Sequence, residues 1–386
     1  MIDVDAVRRD TPACEHRIHF NNAGASLMPE PVYNAITGHL AREHDFGGYE
    51  AEAMAADDLA AFYTEFAGLL RCKPHEIAYV ENATRAWDMA FYCLPLEPGD
   101  RILTHETEYA SNYLAMLQLV RRKGLAIDIA PSDSSGQLDV EAMERMIGPK
   151  TKVIAITHVP SQGGVVNPAE AVGELAARHE LTYLLDACQS AGQIDLDVTR
   201  LRCDMLSGTG RKFLRGPRGT GFLYVSDRII DRLDPAFIDM RAATWTAADD
   251  YELAPGARRF ETWESNVAGR IGLMEAVRYA RAIGLPAIES RVNGLAAALR
   301  RSLEESSKAT VHDRGTRRSG IVTFRVDGEN PEATAARLRD ADINVSVAVR
   351  TSAQIDFGAR ELDSLVRASV HYYNTSDEIG RFVRTV

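Results

Sequence analysis

The chain is 386 residues long, 45% hydrophobic and 26% charged, the balance of a soluble enzyme with room for one large and one smaller domain. A net charge of −11 argues against general affinity for nucleic acid or an anionic membrane surface, and no apolar run approaches the roughly 18 residues that a membrane span needs. The five cysteines (Cys14, Cys72, Cys93, Cys188, Cys203) are odd in number and form no Cys-x-x-Cys spacing, so neither a disulfide framework nor a metal site is expected. The acidic, weakly apolar start, Met1-Ile2-Asp3-Val4-Asp5, lacks the pattern of a secretory signal and makes the cytoplasm the expected location.

In chain order, Gly47-Gly48-Tyr49 reads as a surface loop. From about residue 75 to 225 short apolar runs alternate with amphipathic segments. Strands are expected over 76–80, 101–104, 126–129, 153–157, 182–185, 205–207 and 221–225, and helices over 84–92, 112–123, 139–146 and 169–179. Gly124 supplies a helix stop, and Asn167-Pro168 an N-cap followed by a first-turn proline. The stretch 270–307 reads as unbroken helix, followed by a strand over 320–326, a helix over 331–340, a strand over 343–349 and a closing helix over 376–384. This order implies an α/β protein with a mostly parallel central sheet and a smaller α+β C-terminal domain. In such sheets ligands bind beyond the carboxyl ends of the strands, so the residues just after each strand carry the chemistry.

Lys212 is one of only six lysines and stands in Ser207-Gly208-Thr209-Gly210-Arg211-Lys212, enclosed by glycines and hydroxyls between two apolar strands. An amine held in this way suits condensation with a carbonyl, and the commonest use of that chemistry is a Schiff base to pyridoxal phosphate. Asp186 follows the strand over 182–185, where a carboxylate can keep a pyridine nitrogen protonated, and Gln189 is placed to contact the ring oxygen. Asn82-Ala83-Thr84-Arg85 opens a helix after a strand, a ready anion site to which Thr209 and Arg211 can add. Each feature has an ordinary alternative: a loop lysine beside an acid, a strand-ending turn former, a helix cap. Their occurrence together favours the cofactor. A phosphate-binding nucleotide loop at Gly208–Lys212 fails on spacing, because Phe213 follows the lysine.

The ordered set Ala83-Thr84, Glu108-Tyr109-Ala110-Ser111-Asn112, Thr157-His158-Val159, Asp186-x-x-Gln189, Ser207-x-Thr209-x-Arg211-Lys212 and Arg367-Ala368-Ser369 resembles the class V aminotransferase family of fold-type I pyridoxal-phosphate enzymes. That family includes cysteine desulfurases, selenocysteine lyases and isopenicillin N epimerases. The resemblance implies a fold-type I transferase fold, with residues 20–270 as the large cofactor-binding domain and residues 1–19 with 271–386 as the small one. It implies Lys212, Asp186 and Tyr109 as catalytic residues, Tyr109 standing over the ring face where desulfurases usually place a histidine. Ala83, Thr84, Arg85, Cys188, Gln189, Thr209 and Arg211 join them around the cofactor, Cys188 as packing beneath the ring. Glu264 and Ser265, within Phe260-Glu261-Thr262-Trp263-Glu264-Ser265-Asn266, resemble a stretch that reaches the phosphate from the neighbouring subunit, so a homodimer with shared sites is implied. Arg367 is the implied anchor of an amino-acid substrate's α-carboxylate, with Asn22, Ala23 and Arg350 nearby. The chain departs from the desulfurase pattern in having no cysteine between Arg350 and Arg367, where the sulfur acceptor belongs. A carbon-sulfur lyase acting by β-elimination is therefore expected, with transamination and racemisation or epimerisation as alternatives, and non-catalytic cofactor or anion binding as a remoter one.

Overall fold

A computed structural model describes residues 2–386. The apolar runs of the first half become β1 (Ile77–Val80), β2 (Arg101–His105), β3 (Ala126–Ala130), β4 (Thr151–Thr157), β5 (Thr182–Asp186), β6 (Met205–Thr209) and β7 (Gly221–Val225). They form one sheet in the order β1-β7-β6-β5-β4-β2-β3, in which β7 alone runs antiparallel to its neighbours. Successive residues divide between two cores, as the period of two in a strand requires: Ile154, Ile156, Tyr183 and Leu185 join one cluster, Val153, Ala155 and Leu184 the other. Both faces are thus covered, which explains why these strands read as continuous apolar runs. All strands but β7 end at the same sheet edge, so the segments after β1, β2, β4, β5 and β6 meet there.

A four-stranded antiparallel sheet, in the order Ala309–Val311, Ile321–Val326, Ser364–Ser369, Ser346–Val349, forms the smaller lobe. Its core takes Leu299, Val322, Phe324 and Phe382 from the second half, and Ile18 and Phe20 from the N-terminus. Ile18–His19 pairs in parallel with Ile343–Asn344, and Asn21 bridges to Ser369, so residues 18–22 run from the small lobe to the edge of the large sheet.

Several expectations change. The helix over 270–307 is two helices, Val267–Ile283 and Leu285–Glu305, separated by Gly284 at φ 95° with Pro286 in the second helix's first turn. Glycine supplies the positive φ and proline has no N–H to continue the first ladder. Ile271, Met274 and Val277 of Val267–Ile283 pack in the same cluster as Phe62 and Phe66. Asn167 is no helix cap. Its Nδ2 donates to the Thr157 carbonyl at 2.8 Å and to Thr107 Oγ1 at 3.2 Å, tying down the end of β4, while Pro168 takes the cap position of Ala169–Arg178. Gly48 and Tyr49 belong to a short helix, Gly48–Met54, which buries Ala51; only Gly47 is left as the break. The strand over 343–349 divides at Val345 because its halves pair with different partners. Among the described residues no helix is long and apolar enough to cross a membrane.

Candidate active site

Lys212 sits in the turn that follows β6. The turn is pinned by the Gly210 N–H on the Thr220 carbonyl (3.0 Å) and the Gly216 N–H on the Gly210 carbonyl (2.8 Å). Gly192 lies against it at φ 93°; a Cβ there would come within 2.3 Å of the Phe213 carbonyl carbon, so a side chain would drive the two loops apart. Lys212 is 6% exposed and faces a cavity of about 430 Å³ lined by Asn82, Ala83, Thr84, Tyr109, Asn112, Asp186, Cys188, Thr209 and Arg211. Burial lowers its pKa below the ordinary lysine value, and the nearby guanidinium groups of Arg211 and Arg367 act in the same direction. Its Nζ lies 5.9 Å from the centroid of the Tyr109 ring.

At the end of β5, Asp186 is 3% exposed and held from two sides: Oδ1 accepts from the Cys188 N–H at 2.7 Å, and Oδ2 from Asn112 Nδ2 at 2.8 Å. Asn112 also donates to Glu108 Oε1 (2.9 Å), which accepts from the Tyr109 N–H (2.8 Å) and Thr157 Oγ1 (2.5 Å) as well. Glu108 and Asn112 carry no site role in the sequence reading. The visible signal was their spacing of four across the start of helix Ala110–Lys123, which places both side chains beside the end of β5. Cys188 lines the cavity as a neutral thiol, because burial, reinforced by Asp186, pushes its pKa far up. Gln189 donates to the Ala23 carbonyl at 3.0 Å and leaves its buried Oε1 without a partner.

The other end of the cavity is the start of helix Ala83–Tyr92. Asn82 caps it by accepting from the Arg85 N–H at 2.9 Å. Gly221 lets β7 lie against this start; a Cβ would stand 2.8 Å from the Asn82 carbonyl carbon. Thr84 is exposed and Thr209 Oγ1 reaches the Thr220 carbonyl at 3.3 Å, while Arg211 donates to the Gly24 carbonyl. Arg85 is not part of this lining: its guanidinium lies over the Phe237 ring, 5.0 Å from the centroid. Glu264 and Ser265 lie on the partly exposed segment before helix Val267–Ile283 and do not line the cavity of their own chain.

Arg367, in the strand Ser364–Ser369, is 7% exposed and donates from Nη1 to the Ser161 carbonyl at 2.7 Å. Its buried Nε has no partner, and burial together with Arg211 brings its pKa down to about 10, so it remains charged at neutral pH. The Asn22 side chain is fully used in the scaffold: Nδ2 donates to the Ser369 (2.8 Å) and His19 (3.2 Å) carbonyls, and Oδ1 accepts from the Tyr373 hydroxyl (2.5 Å). Asn21 is the residue of this segment that meets Arg367, at 3.5 Å, and Ala23 contributes its backbone, N–H to Ser369 Oγ and carbonyl to Gln189. Arg350 lies outside the cavity, 46% exposed and 3.9 Å from Asp363. All five cysteines are free.

Pyridoxal phosphate fits this arrangement. The free N–H groups and hydroxyl at the helix start suit its phosphate, the doubly held Asp186 its ring nitrogen, and the unpartnered Gln189 Oε1 and Arg367 Nε mark polar contacts still to be made inside the site. A 3-2-4-5-6-7-1 sheet with a buried lysine after its sixth strand and a buried carboxylate at the end of its fifth defines a class of two-lobed α/β enzymes built around a cofactor. The sequence model of the aminotransferase class-V family matches residues 18–382, and the chain belongs to that family. It is 28% identical over 383 residues to a probable cysteine desulfurase of Pyrococcus abyssi, covering 98% of this chain and 95% of the relative. It superimposes with a TM-score of 0.93 and 29% identity on the apo structure of cysteine desulfurase from Thermococcus onnurineus NA1, covering 100% of this chain and 97% of that one. The cystine C-S lyase C-DES, in complex with its reaction product cysteine persulfide, shares the fold at a TM-score of 0.88 and 23% identity, covering 97% of this chain and 98% of its own.

Proposed function

We propose that the protein is a pyridoxal-phosphate-dependent carbon-sulfur lyase that acts on a sulfur-bearing α-amino acid. The observation that carries this reading is the cavity at the sheet edge that Lys212 and Asp186 line, with the buried Arg367 close enough to lower the Lys212 pKa. The cystine C-S lyase among its structural neighbours, and the desulfurases among its relatives, point to the same bond. Arg367 would hold the substrate α-carboxylate with its planar fork, of which Nε is free. Asp186, fixed by Asn112 and the Cys188 N–H, would face the cofactor's ring nitrogen, and Ala83, Thr84, Thr209 and Arg211 its phosphate. When bound, pyridoxal phosphate draws electrons from the substrate's Cα and acidifies its proton. Lys212 Nζ, its pKa lowered by burial, would take that proton and the sulfur would leave as a thiol, with water converting the remainder to pyruvate and ammonia. Cys188 lines the cavity but is held neutral by burial and so is a poor nucleophile toward sulfur, and none of the other four cysteines lies between Arg350 and Arg367.

We further infer a cytoplasmic homodimer. Phe237, Met240, Trp245 and Trp263 are 63, 76, 79 and 54% exposed on the segment that runs from Arg85's stacking partner to Glu264 and Ser265, and Thr84 is exposed beside it. A second copy covering this face would bring its Glu264 and Ser265 toward the open phosphate end. The two-lobe division, 20–270 against 1–19 with 271–386, is part of the same proposal. The test is direct. Purified protein with added pyridoxal phosphate should show a visible absorbance band that Lys212→Ala abolishes, and should release equimolar pyruvate and ammonia from cysteine S-conjugates. Transfer of the amino group to a keto acid without ammonia would overturn the lyase reading.

A further inference from the structure

Three residues past Lys212, Arg215 is 1% exposed and stands at φ 63°. Seven non-glycine residues among those described take a left-handed φ; six of them are exposed, and Arg215 alone is buried. A side-chain-bearing residue in that region is strained and stays there only where its surroundings over-determine it. Those surroundings are unusual for a buried charge, because no carboxylate pairs with Arg215. Its guanidinium lies among three aromatic faces, 4.6, 5.2 and 5.8 Å from the ring centroids of Tyr373, Tyr372 and Tyr279, and directs its donors to neutral oxygens. Nε donates to the Leu27 carbonyl at 2.8 Å, Nη1 to the Tyr372 hydroxyl at 2.9 Å and Nη2 to Thr11 Oγ1 at 2.6 Å.

Two of these partners lead to the active site. The Arg215 N–H itself closes the lysine turn on the Lys212 carbonyl at 2.9 Å. Tyr372 belongs to the segment that leaves the Arg367 strand, and that segment meets the lysine turn again where His371 Nε2 donates to the Phe213 carbonyl at 2.9 Å. Leu27 ends the loop that begins at Asn21, whose Oδ1 accepts from Arg367 at 3.5 Å, and the Leu27 N–H donates to the Tyr373 hydroxyl at 3.4 Å. One guanidinium therefore holds Thr11, Leu27 and Tyr372, which are 204, 188 and 157 positions away in sequence, against the turn that carries the lysine.

We propose that Arg215 is a positioning residue for the reaction: it sets the spacing between the Lys212 amine and the Arg367 guanidinium, so that a substrate whose α-carboxylate lies on Arg367 presents its Cα to Lys212. The proposal rests on the reading above in one respect, that Arg367 is the carboxylate anchor. A shift of about 1 Å between two such groups is enough to lower reactivity by up to ~10²-fold. The planar fork is required and not the charge alone, because an ammonium cannot meet three diverging acceptors at these distances.

The experiment measures how fast the visible band of the holoenzyme is bleached by aminooxyacetate, which carries a carboxylate, and by O-methylhydroxylamine, which does not; neither contains a leaving sulfur. Wild type should favour aminooxyacetate, and Arg367→Ala should lose that preference. Arg215→Met should lower the aminooxyacetate rate by about tenfold while keeping the O-methylhydroxylamine rate within about twofold of wild type. Added to Arg367→Ala, it should lower the aminooxyacetate rate little further, since two residues acting through one contact are not additive. Arg215→Lys should behave as Arg215→Met does. Tyr372→Phe, which removes one acceptor and keeps the charge, should show a smaller loss of the same preference and tests the proposal in a fully folded protein. A full additional loss in the double variant, an unchanged preference in Arg215→Met or Tyr372→Phe, or wild-type rates in Arg215→Lys would overturn the proposal. A preference retained in Arg367→Ala sinks the anchor reading and this proposal with it; a preference lost there but untouched by Arg215→Met sinks the proposal alone.

Discussion

Replacing Glu108 with glutamine isolates the energetic consequence of a carboxyl buried under the site. Burial pushes the Glu108 pKa from the ordinary 4.5 up to about 7, with Asp186 adding repulsion, against the hydrogen bonds from Thr157, Asn112 and the Tyr109 N–H. Below pH 4.5 the carboxyl is protonated in both folded and unfolded chains, and its burial adds no pH dependence. Between pH 4.5 and 7 the unfolded chain releases the proton while the folded one keeps it, so stability falls as pH rises through that window. At about 1.4 kcal/mol for each tenfold change in proton affinity, the loss reaches about 3 kcal/mol by pH 7 and stays constant above it. Glutamine has the same shape and does not titrate; the acceptors it loses are lost equally at every pH. The stability of Glu108→Gln relative to wild type should therefore move in the variant's favour by about 3 kcal/mol between pH 4.5 and pH 8. Calorimetric unfolding of the two apo proteins, run in parallel across this range, measures the difference with all other titrations cancelled. A difference that stays flat with pH would refute the burial argument, whatever its absolute size.

Arg367→Ala should raise KM for α-amino acids by ~10²-fold, the scale for losing one partner of a buried charge contact, and leave cofactor absorbance intact; parallel loss of cofactor affinity in a titration would count against its role as substrate anchor. Gly192→Ala combines a forbidden φ with a 2.3 Å approach to Phe213, so it should cost more than about 1 kcal/mol in thermal unfolding and weaken cofactor retention by moving the lysine turn. Tyr109→Phe should hold the cofactor as wild type does, whereas Tyr109→Ala should weaken it by about 1 kcal/mol, a stacking contribution readable from fluorescence titration; equal affinities in all three proteins would remove the ring from the cofactor's surroundings.

The parallel sheet was legible because its strands are buried on both faces and so write themselves as continuous apolar runs, from Ile77 to Val225. Lys212, Asp186 and Thr84 stood out because each lies at the end of such a run or within a few residues of it. Asn167 shows where local signals mislead: Asn before Pro is a good cap in isolation, yet the open end of β4 offered its amide a better pair of acceptors. Gly284-Leu285-Pro286 was hidden by the strong amphipathic pattern on either side of it. The Glu108-Asn112 support beneath Asp186 depends on β2, β4 and β5 lying side by side, which no local spacing states. The same is true of Asn22, whose partners Ser369 and Tyr373 are supplied by the far end of the chain.

That last pairing has a consequence for how the protein is made. Lys212, Asp186 and the helix at Ala83 belong to a sheet that is complete once β7 has been synthesised. Arg367, by contrast, is set in place by contacts such as the Ala23 N–H on Ser369 Oγ, 346 residues apart, and the parallel pairing of Ile18 with Ile343. The large sheet thus closes within residues 77–225, although its core also takes Ile271, Val292 and Tyr372 from later in the chain. The strand that carries Arg367, the proposed substrate anchor, is completed only when the two ends of the polypeptide meet.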